Sequence, residues 1–229
     1  LAYVANELDL YETALSYYMQ YTEKYGENSG AFNNMANIYR FDLKDYKKAL
    51  EYYNKAIELV TDDALYYSNR AYLYYYNLNE KEKALADYSK AIELAPEDSD
   101  YLDGRADFYE AEKKWDLALA DNIKSNQLEP NSISSYYGIS YNKIKLKQFQ
   151  EAIDNYLNAL NLEDLENDEK YYILKTIGAT YNFGLNDFKN SKKYLEDAID
   201  LNAENSDAYL EMGDLFAKNS ENKKALEYY

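Results

Sequence analysis

Asp100, Asp103, Asp107 and Glu110 recur at i, i+3, i+7 and i+10, a spacing that sets four carboxylates on one face of a helix. Such a row can favour a basic side chain of a partner, and little more. Helical carboxylates lack the loop that wraps a calcium ion, so the row is not expected to hold metal. The rest of the chain offers no covalent chemistry. It has no histidine and no cysteine, which removes the commonest general base, thiol nucleophiles, disulfides and cysteine-bound zinc. Its seven glycines form no phosphate loop. The expectation is a chain that is not an enzyme, carries no cofactor and works by recognition.

Recognition residues need elements to hold them, and the stretch Ala64 to Asp98 shows their form. Tyr67, Ala71, Tyr74 and Leu78 fall at i, i+4, i+7 and i+11, one helical face. Ala84, Leu85, Tyr88, Ala91 and Ile92 make a second face after the polar break at Asn77 to Glu80. Pro96 then stops the second helix, because it cannot donate to the helical ladder. The alanines sit where two helices cross closely and the tyrosines fill the space beside them. One such hairpin cannot bury its own apolar faces, so it needs copies of itself.

The copies follow at a fixed period. Ala14, Ala49, Ala84, Ala118, Ala152, Ser191 and Ala225 share one environment, with spacings of 35, 35, 34, 34, 39 and 34. Four residues after each stand Tyr18, Tyr53, Tyr88, Asn122, Tyr156, Leu195 and Tyr229. A period near 34 with a small-x-x-aromatic first helix, an Ala-x-x-x-aromatic-x-x-Ala second helix and a closing proline resembles the tetratricopeptide repeat. The resemblance spans the whole chain. It implies an all-α fold, an α-solenoid of antiparallel helix pairs, here one array of about seven repeats with units near 1–28, 29–63, 64–98, 99–132, 133–170, 171–205 and 206–229.

Departures from the period are informative. Glu163 to Asp168 lengthens one connection with acidic residues and accounts for the spacing of 39. Tyr39 to Ala49, Tyr74 to Ala84 and Tyr181 to Ser191 each hold one residue more than the usual count, read as a longer turn between helices without functional meaning. Asn122 stands where an aromatic is expected, so its surroundings are either looser or hydrogen-bonded. The first helix of the fifth repeat has two registers: Gly138 with Tyr141 by motif, or Ser140 with Lys143 by counting back from Ala152. Leu1 to Leu8 reads as most of a first helix, and Tyr229 stops inside a second helix. Both ends thus read as cut within a repeat. Leu1, Val4, Leu226 and Tyr229 are then expected to leave apolar faces that promote end-to-end self-association.

Composition narrows the partner. The 229 residues carry a net charge of −17, which weighs against nucleic acid and anionic membranes, since phosphates demand Lys and Arg. No run approaches the length of a membrane helix. The acidity serves solubility or selects a charged partner, and composition leaves both open. Thirty tyrosines against seven phenylalanines and one tryptophan suggest aromatic bodies packed inside with hydroxyls at the solvent edge.

The resemblance implies that the first helices line a groove where partner segments lie. Its groove positions are Gly30, Asn33, Asn34, Asn37, Arg40 and Phe41 in the second repeat, then Leu65, Ser68, Asn69, Tyr72, Tyr75 and Tyr76 in the third. In the fourth they include Asp100, Asp103, Asp107 and Glu110, and in the sixth Tyr172 and Lys175. Asn33, Asn37 and Asn69 can pair with the backbone of an extended segment, since an amide both donates and accepts. Tyr72 and Tyr76 offer area at little entropic cost. Asp103 and Asp107 favour a cation. The expected partner is therefore a protein or peptide segment, basic with apolar residues. The plainer reading, in which Asn and Tyr follow the chain's general bias and the acids form a solvated face, remains beside it. Family members that clamp the terminal carboxylate of heat-shock chaperones need three basic residues, and this chain has Asn33, Asp100 and Gly104 at those places. A chaperone-tail clamp is excluded on that ground. The expected function is a peptide-binding scaffold; the alternative is the docking or regulatory part of a larger enzyme or secretion machine.

Overall fold

The computed structural model describes residues 11–229. Among these, all regular structure is helical: α1 Tyr11–Tyr25, α2 Ser29–Phe41, α3 Tyr46–Leu59, α4 Ala64–Tyr72, α5 Lys81–Leu94, α6 Ser99–Ala111, α7 Trp115–Leu128, α8 Ile133–Lys145, α9 Phe149–Ala159, α10 Asn167–Thr180, α11 Phe188–Leu201, α12 Asp207–Lys218 and α13 Asn222–Tyr228. Two of them, α4 and α10, run on into one π-helical turn each, Leu73–Asn77 and Tyr181–Leu185. The expected helix at Leu1 to Leu8 lies outside the described residues.

Local chemistry sets the ends of these helices. Asn28, Asp45, Asp63 and Asp187 cap their helices by accepting from backbone N–H groups at 2.8–3.1 Å. The turn inside each pair is closed by a left-handed residue, and none of these is glycine: Lys44, Asn79, Lys113, Lys147, Asn186 and Ser220 have φ between 54° and 64°.

These closures correct the reading of the extra residue in two of its three places. In the ordinary pairs a backbone bond spans five residues, as from Lys114 N to Tyr109 O and Gln148 N to Lys143 O, both 2.8 Å. In the three longer pairs it spans six, from Asp45 N to Tyr39 O, Glu80 N to Tyr74 O and Asp187 N to Tyr181 O. In the third and sixth pairs the added residue is absorbed in the π turn that ends the first helix, as in the i to i−5 bond from Leu78 N to Leu73 O. In the second pair it lengthens the turn between helices, as the spacing suggests: four residues, 42–45, separate α2 from α3, against three between α6 and α7.

The same bonds resolve the fifth repeat. Gln148 pairs with Lys143 as Lys114 pairs with Tyr109, and Ser140 is wholly buried, so counting back from Ala152 gives the register. Ser140 Oγ donates to the Ala152 carbonyl at 3.2 Å.

Packing divides the chain into two compact units, Leu1–Phe108 and Tyr109–Tyr229. In the first, Ala36, Ala49, Ala56, Ala71, Ala84 and Ala91 have no exposed surface, which is what lets the helices of a pair cross closely. Met35, Ile38, Tyr53, Ile57 and Leu73 fill the space around the second and third pairs. In the second unit, Ala118, Ala152, Ser191 and Ala198 play the alanine role beside Ile153, Tyr156, Ile173, Ile177 and Leu195. The acidic connection is anchored there by buried Leu165 and begins α10 with a Glu166–Glu169 capping box. Of the end residues expected to be apolar and uncovered, Leu1 and Val4 lie outside the described residues. Leu226 is 75% exposed and Tyr229 60%.

One expectation about the tyrosines is revised. Tyr53, Tyr88 and Tyr156 are buried whole, hydroxyl included in the case of Tyr88, whose Oη is sealed without a hydrogen-bond partner.

Candidate functional site

The groove positions of the first unit come from α2, from α4 with its π turn, and from α6. Residues three or four apart on a helix share a face, so Asn33, Asn37 and Arg40 form one stripe and Asn69, Tyr72 and Tyr76 another. Neighbouring first helices are tied across these stripes at three levels. Tyr66 Oη donates to Ser29 Oγ at 3.1 Å, Asn69 Nδ2 to Asn33 Oδ1 at 2.9 Å, and Arg40 Nε to Asn77 Oδ1 at 3.0 Å.

The structure thus brings Asn33 and Asn69 together as a bonded pair, with Asn33 buried and Asn69 partly exposed. Asn37 is partly engaged from behind: it accepts from the Tyr53 hydroxyl at 2.5 Å. Burial pushes the Tyr53 phenol up to about 12, with the Arg40 guanidinium pulling the other way. Of the three amides, Asn69 has the side chain best placed to meet a partner.

Tyr72 and Tyr76 stack with ring centroids 5.2 Å apart and planes 21° from parallel. Tyr88 lies edge-on beneath Tyr72 at 5.7 Å, and Tyr75 bridges Tyr76 at 4.8 Å and Phe108 at 4.9 Å. Gly104 of α6 packs against this cluster; a Cβ there would sit in ordinary contact, 3.5 Å from Tyr88 and 3.9 Å from Tyr72. The outer ring, Tyr76, is 52% exposed, so the stack is a platform with a dry base and a wet face. The π turn supplies Tyr75, Tyr76 and Asn77.

Asp103 is partly buried, and Asp107, one turn later on α6, is exposed. Burial, and then the nearby Asp107 charge, raise the Tyr72 phenol above its ordinary value; Tyr76 is raised by burial, Tyr72 and Asp107. Asp107 and Arg40 thus both act on the two phenols, the carboxylate raising them and the guanidinium lowering them.

The sequence named Arg40 only as one groove position among many. In the structure it is 8% exposed, and its guanidinium lies 4.4 Å from the Phe41 ring centre and 5.2 Å from that of Tyr72. The signal that could have singled it out is the scarcity of groove cations in a chain of net charge −17.

Four stretches match sequence models of the tetratricopeptide repeat: residues 29–59, 64–98 and 133–164 by one model and 179–229 by a second. The chain belongs to the tetratricopeptide-repeat family. Solved repeat proteins share its fold. The C-terminal part of a repeat-containing protein from Cytophaga hutchinsonii aligns over 99% of this chain and 92% of its own, at 14% identity and a TM-score of 0.82. A repeat protein from Parabacteroides merdae covers 99% and 87%, at 19% identity and 0.67. YrrB, described as having an unusual peptide-binding site, covers 83% and 95%, at 19% identity and 0.64. At such identities the likeness is one of fold. No curated protein matches the sequence. Its repeats make the chain a protein-interaction scaffold.

The second unit of this repeat protein has its own polar and aromatic contacts at the corresponding positions. Tyr137 meets Tyr172 edge-on at 5.0 Å, and its phenol is pushed up to about 12, first by burial and then by Glu169. Lys175 reaches Asp207 at 3.0 Å. Asn122 proves to be hydrogen-bonded: with buried Asn142 it donates to Glu110 Oε1, at 3.3 and 2.5 Å, while Asn142 also donates to the Gly138 carbonyl at 2.9 Å. Among the described residues no cluster of His, Cys, Asp or Glu could hold a metal ion, and no helix is long and apolar enough to cross a membrane.

Proposed function

We propose that the first unit holds a partner segment, extended or helical, along the stripe Asn33, Asn37, Asn69, Tyr72, Tyr76, Asp103 and Asp107. The observation that carries this is the Tyr72–Tyr76 platform, half exposed and flanked on its two sides by the Asn33–Asn69 pair and by Asp107. An aromatic stack with a dry base offers apolar area that is already ordered, so little side-chain entropy is lost on binding. The Asn69 amide meets backbone groups whatever the partner's sequence, at roughly 0.5–1.5 kcal/mol for each bond. Asp103 and Asp107 select a basic residue and speed the encounter, while the tyrosines contribute more of the lasting affinity. The peptide-binding site of YrrB, on the same fold, supports a groove used in this way.

The test is binding of basic-apolar and acidic-apolar peptide libraries at low and high salt to the parent protein and to Asn69→Ala, Tyr72→Ala and Asp103→Asn/Asp107→Asn. Tyr72→Ala is expected to lower affinity at both salts, and the double aspartate change to remove most of the salt dependence. Preference for acidic-apolar peptides, or three variants that bind like the parent, overturns the reading.

A further inference from the structure

Two arginines of the first unit, Arg40 buried and Arg70 partly buried, have opposite fates. Arg70 is spent inside the fold: Nε and Nη2 donate to the two oxygens of Asp87 at 2.7 and 2.9 Å, and Nη1 donates to Asn54 at 2.8 Å. Every edge of that guanidinium has an acceptor, and its charge has a counter-charge. Arg40 has neither. Among the described residues it donates through Nε to the neutral Asn77 amide and forms no ion pair, although the chain carries 42 acidic residues against 25 basic ones. Its ring and hydroxyl neighbours are neutral as well: the Tyr53 phenol, and the Phe41 and Tyr72 rings at 4.4 and 5.2 Å; the Asp107 carboxylate acts with it on the Tyr72 and Tyr76 phenols. Phe41 itself is 60% exposed, so the aromatic bed beside the guanidinium reaches solvent while Arg40 is 8% exposed.

A cation held out of water without a counter-charge is costly unless something pairs with it. Aromatic rings beneath a guanidinium offset part of that cost and fix its plane, leaving its edge for a planar anion. We propose that Arg40 receives a carboxylate side chain, Asp or Glu, of the partner segment. This rests on the groove reading and deepens it. The segment is then amphoteric, with an acidic residue over Phe41 and Arg40, an apolar one on Tyr72 and Tyr76, and a basic one toward Asp103 and Asp107. Charge complementarity fixes its direction in the groove, since reversing it sets carboxylate against Asp107 and cation against Arg40.

The probe is a short fluorescein-labelled peptide of Lys, Leu and Ala, amidated at its C-terminus so that only side chains carry carboxylate. A single Glu is walked along it, with Gln at the same places as control. Anisotropy titrations use the parent protein, Arg40→Gln, Arg40→Lys and Tyr72→Ala, each checked for folding by circular dichroism. One Glu place is expected to bind about tenfold tighter than its Gln control. Arg40→Gln should abolish that gain, and Arg40→Lys should keep part of it while losing the bidentate fit. The proposal is overturned if no Glu place gains over Gln, or if the gain survives in Arg40→Gln. The groove reading fails separately if Tyr72→Ala leaves affinity unchanged while the Arg40-dependent gain persists. Should Arg40→Gln fail to fold, the Arg40→Lys titrations decide: an undiminished gain there overturns bidentate capture.

Discussion

Arg40 in the first unit and Glu110 in the second occupy the same place in their repeats, four residues past the small residue of the first helix, Ala36 and Ala106. Around Arg40 the second-helix residue behind the groove is Tyr53, fully buried. Around Glu110 it is Asn122, which donates to the carboxylate. One scaffold therefore builds an aromatic cradle for a cation in one unit and an amide cradle for an anion in the other. The residue four after the second-helix alanine, Tyr53 in one case and Asn122 in the other, is the visible difference between the two. A long aromatic side chain fills the gap between first helices with apolar bulk, whereas the short amide draws in further polar groups, here Glu110 and Asn142.

The two glycines that face this residue give the sharpest way to break the comparison. Gly104 faces Tyr88 and Gly138 faces Asn122. A Cβ on Gly104 would meet Tyr88 at 3.5 Å, ordinary contact, but on Gly138 it would fall 2.4 to 2.9 Å from the Asn122 amide group. That amide is buried and tied to Glu110, so it cannot swing clear without losing its bond. Gly138→Ala is expected to cost roughly 1–3 kcal/mol by overpacking. Gly104→Ala should be neutral or stabilise by up to about 1 kcal/mol, the helix-propensity difference between the two residues. Thermal denaturation of both variants checks this; equal melting temperatures would remove the claimed asymmetry.

A smaller effect separates the alanine positions themselves. Ala84 in the first unit and Ser191 in the second are equally buried, but the Ser191 hydroxyl has no hydrogen-bond partner. Burying an unpaired hydroxyl is unfavourable, so Ser191→Ala should stabilise by about 1 kcal/mol, and Ala84→Ser should destabilise by a similar amount. Chemical denaturation with unchanged slopes would measure both. A destabilised Ser191→Ala would mean that the hydroxyl finds a partner after all.

Much of the fold was legible because period and small residues are properties of the chain itself. Ala49, Ala84 and Ala118 announce the crossings, whereas the fifth register stayed open between Gly138 and Ser140 because both are small enough for a close crossing, and the backbone bond from Gln148 to Lys143 resolves it. The candidate site was legible in part. Spacing alone puts Asp103 with Asp107 and Tyr72 with Tyr76 on common faces, but which amides are already engaged depends on residues 16 or 36 places away, as with Asn37 and Tyr53 or Asn33 and Asn69. The extra residue before Ala84 was visible as a count, while its place in a π turn follows from backbone bonds that no spacing reveals. Arg40 was passed over because its isolation is a matter of what is absent around it in three dimensions.

The smallest predicted effect tests the amide cradle through pH. Burial raises the Glu110 carboxyl above its ordinary 4.5, with the bonds from Asn142 and Asn122 opposing that shift. A carboxyl raised on folding stabilises the fold below its unfolded value, and that contribution is lost as pH rises through the folded value. Charged Glu110 is therefore a slight liability at neutral pH. Glu110→Gln keeps an oxygen to accept from Asn142 and Asn122 while removing the charge. It should be no more stable than the parent at pH 4 and modestly more stable at pH 7. Solvent reaches this side chain, so the gain should stay below about 1 kcal/mol, or roughly 2–4 °C in melting temperature. Glu211, raised by burial and by Asp214, titrates in the same direction in the same unit, so the quantity to follow is the difference between parent and variant profiles rather than either alone. A flat difference for Glu110→Gln, or one that grows toward acid, would show that the bonds from Asn142 and Asn122 outweigh burial and that this cradle favours the charged form as the aromatic one favours its cation.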